Sequence, residues 1–532
     1  LQNSSTTFEN RTNKADNKSV LGITNVKLTY VPNVKQKWFY NGQFQMSANN
    51  MSSILMSLTN EQQTNFKNLN STDNIQIKQF LEWHKNINNK HSTTFVLNQS
   101  TENHKPTNSW LTNTAFLTGL IPLESDINYN INQINNIINN NIYALLKHYW
   151  VVNSKNHLYS YIGKNYTNTK LQISEKQYLS DGSINDFEDS GFGNDLHYIL
   201  NNFYFGLEYK FKIGKWINKP AIYTHYFNSI INQYTSSNKL NKILLEPSWL
   251  SEYEFNQTES LKFNYKLVNE FPEANQLVDN YTLKTYNSVF KGNSLLQNET
   301  YHNVNVNYLK NNIYKGLMLF INTSYTKKVK TIRNEINFDG INQYTKPTIT
   351  NNPETTYRIY GNIDKKIHKF RLVLNANLLW FNYIQRVNSE NILNNRNTQV
   401  FGVRLRTANK KWPYVSAEYN KTFSQFLGLT NSKLSSDKLG FEFNVDFYEF
   451  FNFKTNYEIE YNNSNNIKSS YKIANAYLSF QNENNPLRFE ISAQNFLNNT
   501  TKINNSFSDF TISNTITYTL PRIVMLTISY KI

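Results

Sequence analysis

The sequence predicts an all-β protein, an antiparallel transmembrane β-barrel of about 22 strands (18–22), with long extracellular loops and short periplasmic turns. Three observations predict it. The first is the C-terminal stretch Arg522–Ile532, where Val524, Leu526, Ile528, Tyr530 and Ile532 alternate with Met525, Thr527, Ser529 and Lys531. Successive strand side chains point to opposite faces, so this is a strand with one apolar and one mostly polar face. The second is composition: 35 Phe, 36 Tyr and 8 Trp give an aromatic fraction of 15%, while all hydrophobic residues reach only 39%. Many aromatics with few other apolar residues suit a barrel, in which only the outward half of each strand is apolar and aromatic girdles mark both interfaces. The third is that the longest apolar runs, such as Gly316–Ile321 and Tyr149–Val152, fall far short of the roughly 20 residues a spanning helix needs.

Taken in order, Leu1–Ser19 reads as a polar N-terminal segment and residues 20–532 as the barrel. Val26, Leu28 and Tyr30, then Trp38, Tyr40, Phe44 and Met46, predict a first hairpin turning near Pro32-Asn33. Asn74–Ile87 and Lys90–Thr101 predict a second pair. Ile127–Leu146 carries Ile131, Ile134, Ile138, Ile142 and Leu145 at helical spacing, but Asn fills most other positions. Asn is a poor helix former, so strand or loop is preferred. Lys147–Asn153 and Asn156–Gly163 form a further pair, and from Leu196 onward long alternating strands succeed one another. The clearest hairpin is Lys438–Glu460, turning at Tyr448-Glu449-Phe450. Its Leu439, Phe441, Phe443, Val445 and Phe447 face one way, and Lys438, Glu442 and Asp446 the other. Phe453 should share the lipid side with Leu372, Leu374, Leu526 and Ile528. Lys454, Glu458 and Arg371 should face the wet lumen.

The formal net charge of +16 raises nucleic-acid binding, but no Lys/Arg cluster or nucleic-acid motif accompanies it, and none is expected. The absence of Cys excludes a disulfide framework and thiolate metal sites. The loop between Glu175 and Asp195 carries Asp181, Asp186, Glu188, Asp189, Gly191 and Gly193, and its carboxylates could ligate Ca²⁺. Their spacing fits no EF-hand, and a solvated surface loop accounts for them more simply. His148, His157, His197 and His225 are the candidates for catalysis, yet none of the 9 His stands in a recognised catalytic motif. We therefore expect no catalytic residue, cofactor or metal site. His148, beside Tyr149 and Trp150, reads as an interfacial residue. Arg371, Arg404, Arg406, Glu442, Asp446, Glu458 and Glu460 could touch a solute or a lumen-filling domain. A wet, ion-paired interior is the simpler account.

Leu245–Leu267 (LEPSWLSEYEFNQTESLKFNYKL) resembles a strand pair in the barrel of TonB-dependent outer-membrane receptors, the type carrying a carboxypeptidase-like regulatory domain and a plug. Gly292–Glu299 (GNSLLQNE) is similar to that family's G-N-P-x-L-x-P-E turn, with Ser294 and Asn298 where the family has Pro. The ending TLPRIVMLTISYKI also looks typical of it. The resemblance implies a Gram-negative outer-membrane location and active uptake of a nutrient such as a siderophore, glycan or peptide. It implies as partners outer-membrane lipid and lipopolysaccharide, the plug domain of the same full-length protein, and the TonB complex. The alternatives are a structural barrel scaffolding a surface lipoprotein or secreted protein and, more remotely, an outer-membrane hydrolase. The plug and signal peptide are expected N-terminal to this stretch, so this chain alone is expected to form a wide, poorly selective pore. Nothing in it reads as a filling for that pore.

Overall fold

The computed structural model describes residues 7–59, 62–234, 236–408, 412–482, 486–507 and 511–530. They form 27 strands and two single-turn 3₁₀ helices, and no helix is long and apolar enough to cross a membrane. The strands are β1 (Glu9–Asn33), β2 (Gln36–Thr59), β3 (Gln62–Asn86), β4 (His91–Thr112), β5 (Tyr129–Val151), β6 (Asn156–Tyr178), β7 (Ile184–Asp186), β8 (Asn194–Ile213) and β9 (Trp216–Gln233). There follow β10 (Ser236–Asn256), β11 (Glu259–Glu270), β12 (Tyr281–Thr285), β13 (Ser288–Lys291), β14 (Glu299–Asn312), β15 (Leu317–Asp339), β16 (Asn342–Thr350), β17 (Glu354–Ile367), β18 (Phe370–Val387) and β19 (Glu390–Thr407). The last are β20 (Tyr414–Leu427), β21 (Ser432–Phe447), β22 (Phe451–Ser464), β23 (Ile467–Gln481), β24 (Leu487–Gln494), β25 (Thr501–Phe507), β26 (Ile512–Tyr518) and β27 (Ile523–Tyr530).

Twenty-five of these form one sheet, and β25–β26 form a separate hairpin. Within the large sheet, β7, β12, β13 and β16 are short side elements, which leaves 21 strands in the wall. Each wall strand pairs antiparallel with the next, from β1–β2 through to β24–β27. Connections at one end are tight, none longer than residues 408–413. At the other end lie the long ones, 113–128, 179–193, 271–298 and 495–522. Asparagine supplies several tight turns: Asn465 and Asn466 (φ 47° and 71°) join β22 to β23 in the left-handed conformation a two-residue hairpin requires. Tyr448 and Glu449 adopt it too (φ 50° and 60°) at the turn expected between β21 and β22.

The segment expected to be strand or loop at Ile127–Leu146 is strand β5, because its Asn and Ile side chains alternate across β4 and β6. The polar segment Leu1–Ser19 enters strand at Glu9, where Glu9–Ser19 pair with Asn49–Thr59. Backbone pairing along β2 outweighs its polar composition. Closure of the sheet through Arg522–Ile532 is not found among the described residues, where β27 pairs only with β24. Parity is the physical reason. The first and twenty-first strands of an antiparallel meander run in the same direction, so β1 and β27 cannot meet antiparallel without a strand between them.

The two faces of the wall differ as the alternation requires. One carries Phe203, Phe205 and Leu207 on β8, then Val403, Leu405, Tyr419, Leu439 and Phe441 on neighbouring strands, all exposed. The opposite face carries cross-strand ion pairs, including Lys438–Glu458 (2.9 Å), Lys454–Glu442 (3.3 Å) and Arg404–Glu418. The long connections fold over this charged face, which is therefore the interior.

Candidate functional site: the packed mouth

β1–β6 contain 22 to 25 residues each, apart from the three-residue β7 beside them. A 25-residue strand extends about 80 Å, whereas the apolar band of such barrels is about 25 Å tall. These strands therefore rise well beyond lipid at the long-loop end. On β6, for example, the outward face passes from Leu158 and Ile162 to Asn168, Lys170, Gln172 and Ser174.

The inner face of this raised rim is apolar where an open pore would be polar. Leu55 of β2, Phe66 of β3, Trp110 of β4 and Ile131 of β5 are buried against Phe116, Leu117 and Ile121 of the 113–128 connection. Phe187 and Phe192, Leu283, Tyr286 and Val289 complete the cluster. A second cluster joins Leu171, Leu196, Tyr198 and Ile231 of the wall to Leu277, Val278 and Leu296. The 271–298 segment thus lies inside the mouth.

Buried amides fix its position. Gln133 of β5 donates from Nε2 to the Leu283 carbonyl (2.8 Å) and to Glu175 (2.9 Å). Asn194 of β8 accepts from the Asn280 backbone N–H (3.0 Å), and Gln233 of β9 bonds the backbone on both sides of Val278. Glu175, only 1% exposed, accepts from Gln133 and from the backbone N–H groups of Gly193 and Leu283 (both 3.2 Å). Burial pushes its carboxyl above the usual carboxylate range, the accepted hydrogen bonds and nearby Lys284 offsetting this only in part. Gln177, fully buried, pairs in the same manner with both backbone groups of Glu124 in the 113–128 connection (2.9 and 2.8 Å).

The β12–β13 hairpin extends these ties across the mouth. Tyr286 at its turn packs on Phe66 (ring centroids 4.5 Å apart) and donates its hydroxyl to Glu9 of β1. Its β13 pairs parallel with β16, an arm folded back from β15. β15 is the twelfth wall strand and β1 the first. In a flat sheet they would stand about 50 Å apart at 4.8 Å per strand, so a short hairpin can join them only if the sheet is rolled. The sequence shows no filling for the pore, and the structure adds that 271–298, with the β16 arm, lies within its mouth. Its Leu277-Val278, Leu283 and Val289 were the available signal. The buried Gln and Asn partners carried none, because the same residues suit a solvated strand equally well.

The acidic loop is not a gathered carboxylate site. Asp186 pairs with Lys176 (2.7 Å), and Asp181 accepts from the Ser183 hydroxyl and backbone N–H, which hold its pKa below the usual range. Among the described residues no group of three or more His, Asp or Glu converges as a metal site. The four histidines are scattered. His148 contacts His91 (3.2 Å) on the outer face beside Trp150, and His197 bonds Asn168 on that face. His225 lies inside, stacked on Tyr204 and Phe227, and His157 lies at the tight-turn end. Arg371, Arg404, Arg406, Glu442, Asp446, Glu458 and Glu460 all lie on the inner face, with Glu460 paired to Lys502 of the β25–β26 hairpin (3.3 Å).

No protein-family model matches the chain, and no curated protein does. Solved structures do match, at low identity. The copper transporter OprC is 8% identical with a TM-score of 0.50, over 98% of this chain and 80% of that one. BauA, the ferric preacinetobactin receptor from Acinetobacter baumannii, is 12% identical with a TM-score of 0.49, over 98% and 79%. The ferric citrate transporter FecA is 8% identical with a TM-score of 0.47, over 96% and 78%. These neighbours are receptors and transporters. At this identity the likeness concerns the fold alone, a large antiparallel β-sheet.

Proposed function

We propose that this chain is the barrel of an outer-membrane receptor that takes up a nutrient, such as a siderophore, glycan or peptide, from outside a Gram-negative cell. The observation that carries this reading is the pairing of a lipid-compatible outer face with a mouth whose long connections are packed into a fixed inner surface. Fixed loops above a wet lumen can select a solute by shape before it enters. In this reading a plug domain of the same full-length protein fills the lumen below. The TonB complex displaces that plug, and outer-membrane lipid with lipopolysaccharide surrounds the wall. The test is uptake by intact cells, comparing the wild type with a strain lacking the protein and with one lacking TonB. Loss of uptake of one nutrient in both supports it, and unchanged uptake of every nutrient screened overturns it.

One observation favours the second reading, a scaffold for a surface lipoprotein. The β25–β26 hairpin forms its own sheet beside the wall and exposes Ile512, Ile516 and Tyr518, the last at 82%. Co-purification of a lipoprotein that is lost on changing Tyr518→Ser, with uptake unaffected, would favour it.

A further inference from the structure

Three cations stand side by side on the inner face at the tight-turn end. Lys366 of β17 is the cross-strand partner of Arg371 of β18, and Arg371 is the partner of Arg406 of β19. Directly opposed side chains have Cβ atoms about 5 Å apart, and like charges so placed repel. Elsewhere the same wall pairs unlike charges: Arg404 with Glu418 directly across, and Lys438 with Glu458 and Lys454 with Glu442 on the diagonal. In the row of three, only Arg371 is answered, by Asp364 (2.7 Å). Among the described residues neither Lys366 nor Arg406 has a carboxylate partner.

A cavity of about 610 Å³ opens on this row, lined also by Tyr414, Asn444 and Asp446. Asp446 accepts a hydrogen bond from Asn452 (2.7 Å) and forms no ion pair with the row. An open guanidinium and an open ammonium on either side of Arg371, over one cavity that also presents a hydroxyl and an amide, are the chemistry that receives a carboxylate or phosphate.

We propose that Lys366 and Arg406 bind an oxyanion entering the lumen from the tight-turn side. It is either a dissolved carboxylate or phosphate, or a carboxylate on a segment of the protein seated within the lumen. Bound there, the anion relieves the repulsion along the row and ties three wall strands together. The dissolved anion stands apart from the uptake reading, whereas a carboxylate on a lumen segment rests on the plug of that reading.

The test uses the full-length protein purified in detergent, with Arg406→Gln, Lys366→Gln and Arg406→Lys, each checked for folding by heat-modifiable gel mobility. If the anion comes from solution, inorganic pyrophosphate gives a calorimetric binding signal at low salt. That signal weakens at least tenfold in Arg406→Gln and Lys366→Gln and partly recovers in Arg406→Lys. If the protein supplies the carboxylate, pyrophosphate gives no signal, but both Gln variants melt several degrees lower at low salt and Arg406→Lys does not. Pyrophosphate binding unaffected by either Gln variant, or no binding with melting unchanged, overturns the proposal.

Discussion

The carboxamide of Gln233 holds Leu277 as a neighbouring strand would. Its Nε2 donates to the Leu277 carbonyl and its Oε1 accepts from the Asp279 backbone N–H, each at 2.9 Å. Gln233 sits at the upper end of β9, and Leu277 and Val278 are essentially inaccessible to solvent. Removing the amide strands two buried backbone groups, at about 1–3 kcal/mol for each unsatisfied group. Gln233→Ala should loosen the 271–298 segment while leaving the wall intact. Hydrogen exchange should show lost protection at Asp279 without loss in β8 or β9, and unchanged exchange at Asp279 would refute it.

Glu175 makes the docking of this segment depend on pH. Its carboxyl is raised by burial in the folded mouth, so folding binds its proton more tightly than the free chain does. The contribution is therefore fully present below the ordinary carboxylate range and is lost as pH rises through the raised value. Protease nicking within 271–298 should be slowest at mildly acid pH and faster toward neutrality. Glu175→Gln should flatten that dependence, and a wild-type profile of the opposite slope would contradict the assignment.

The two faces of the β21–β22 hairpin should respond differently to the same charge. Phe441 lies on the outer face and is cross-strand partner to Tyr457, while Asn456, one step along, lies on the inner face. Phe441→Arg should cost roughly 2–4 kcal/mol if it stands at mid-bilayer, and Asn456→Arg much less. Urea titration of the protein refolded into lipid vesicles measures both, and equal costs would reverse the facing.

Parity gives a prediction about the seam. With one strand between them, β1 and β27 would stand about 10 Å apart, beyond the 7 Å that a disulfide can bridge. Asn17→Cys with Thr527→Cys should stay unlinked under oxidation in the intact protein. Asn17→Cys with Met51→Cys, whose residues are direct partners on β1 and β2, should link. Crosslinking of the first pair would mean that the sheet closes on itself by another route.

Deleting the β12–β13 hairpin should widen the mouth. The chain lacking residues 281–291 should pass a larger single-channel current in planar bilayers than the unaltered chain. Equal currents would mean that the constriction lies elsewhere.

Much of the wall was legible because strand alternation is a local property. Phe441 and Glu442 announce two faces with no knowledge of their neighbours, and the outer face must be apolar along its whole lipid-facing length. The mouth was not legible for the opposite reason. Leu277 and Gln233 are 44 residues apart in sequence, and nothing in a lone Gln says that its amide will meet backbone rather than water. The row of Lys366, Arg371 and Arg406 depends on register between three strands, which the turns set, with His368 and the Asn388-Ser389 pair at positive φ. The missing closure followed from a strand count, and periodicity alone gives that count only to within a few strands.

The contact between Tyr286 and Glu9 also bears on how such a wall comes together in time. They are 277 residues apart, so the leading edge of the sheet cannot be fastened until more than half of the chain has been made and placed. Closing a loop of that length is entropically costly and slow compared with zipping one hairpin onto the next. Strands β1 to β6 must therefore wait with a bare apolar rim, Leu55, Phe66, Trp110 and Ile131, until the hairpin arrives. That interval is when this protein most needs another molecule to shield it.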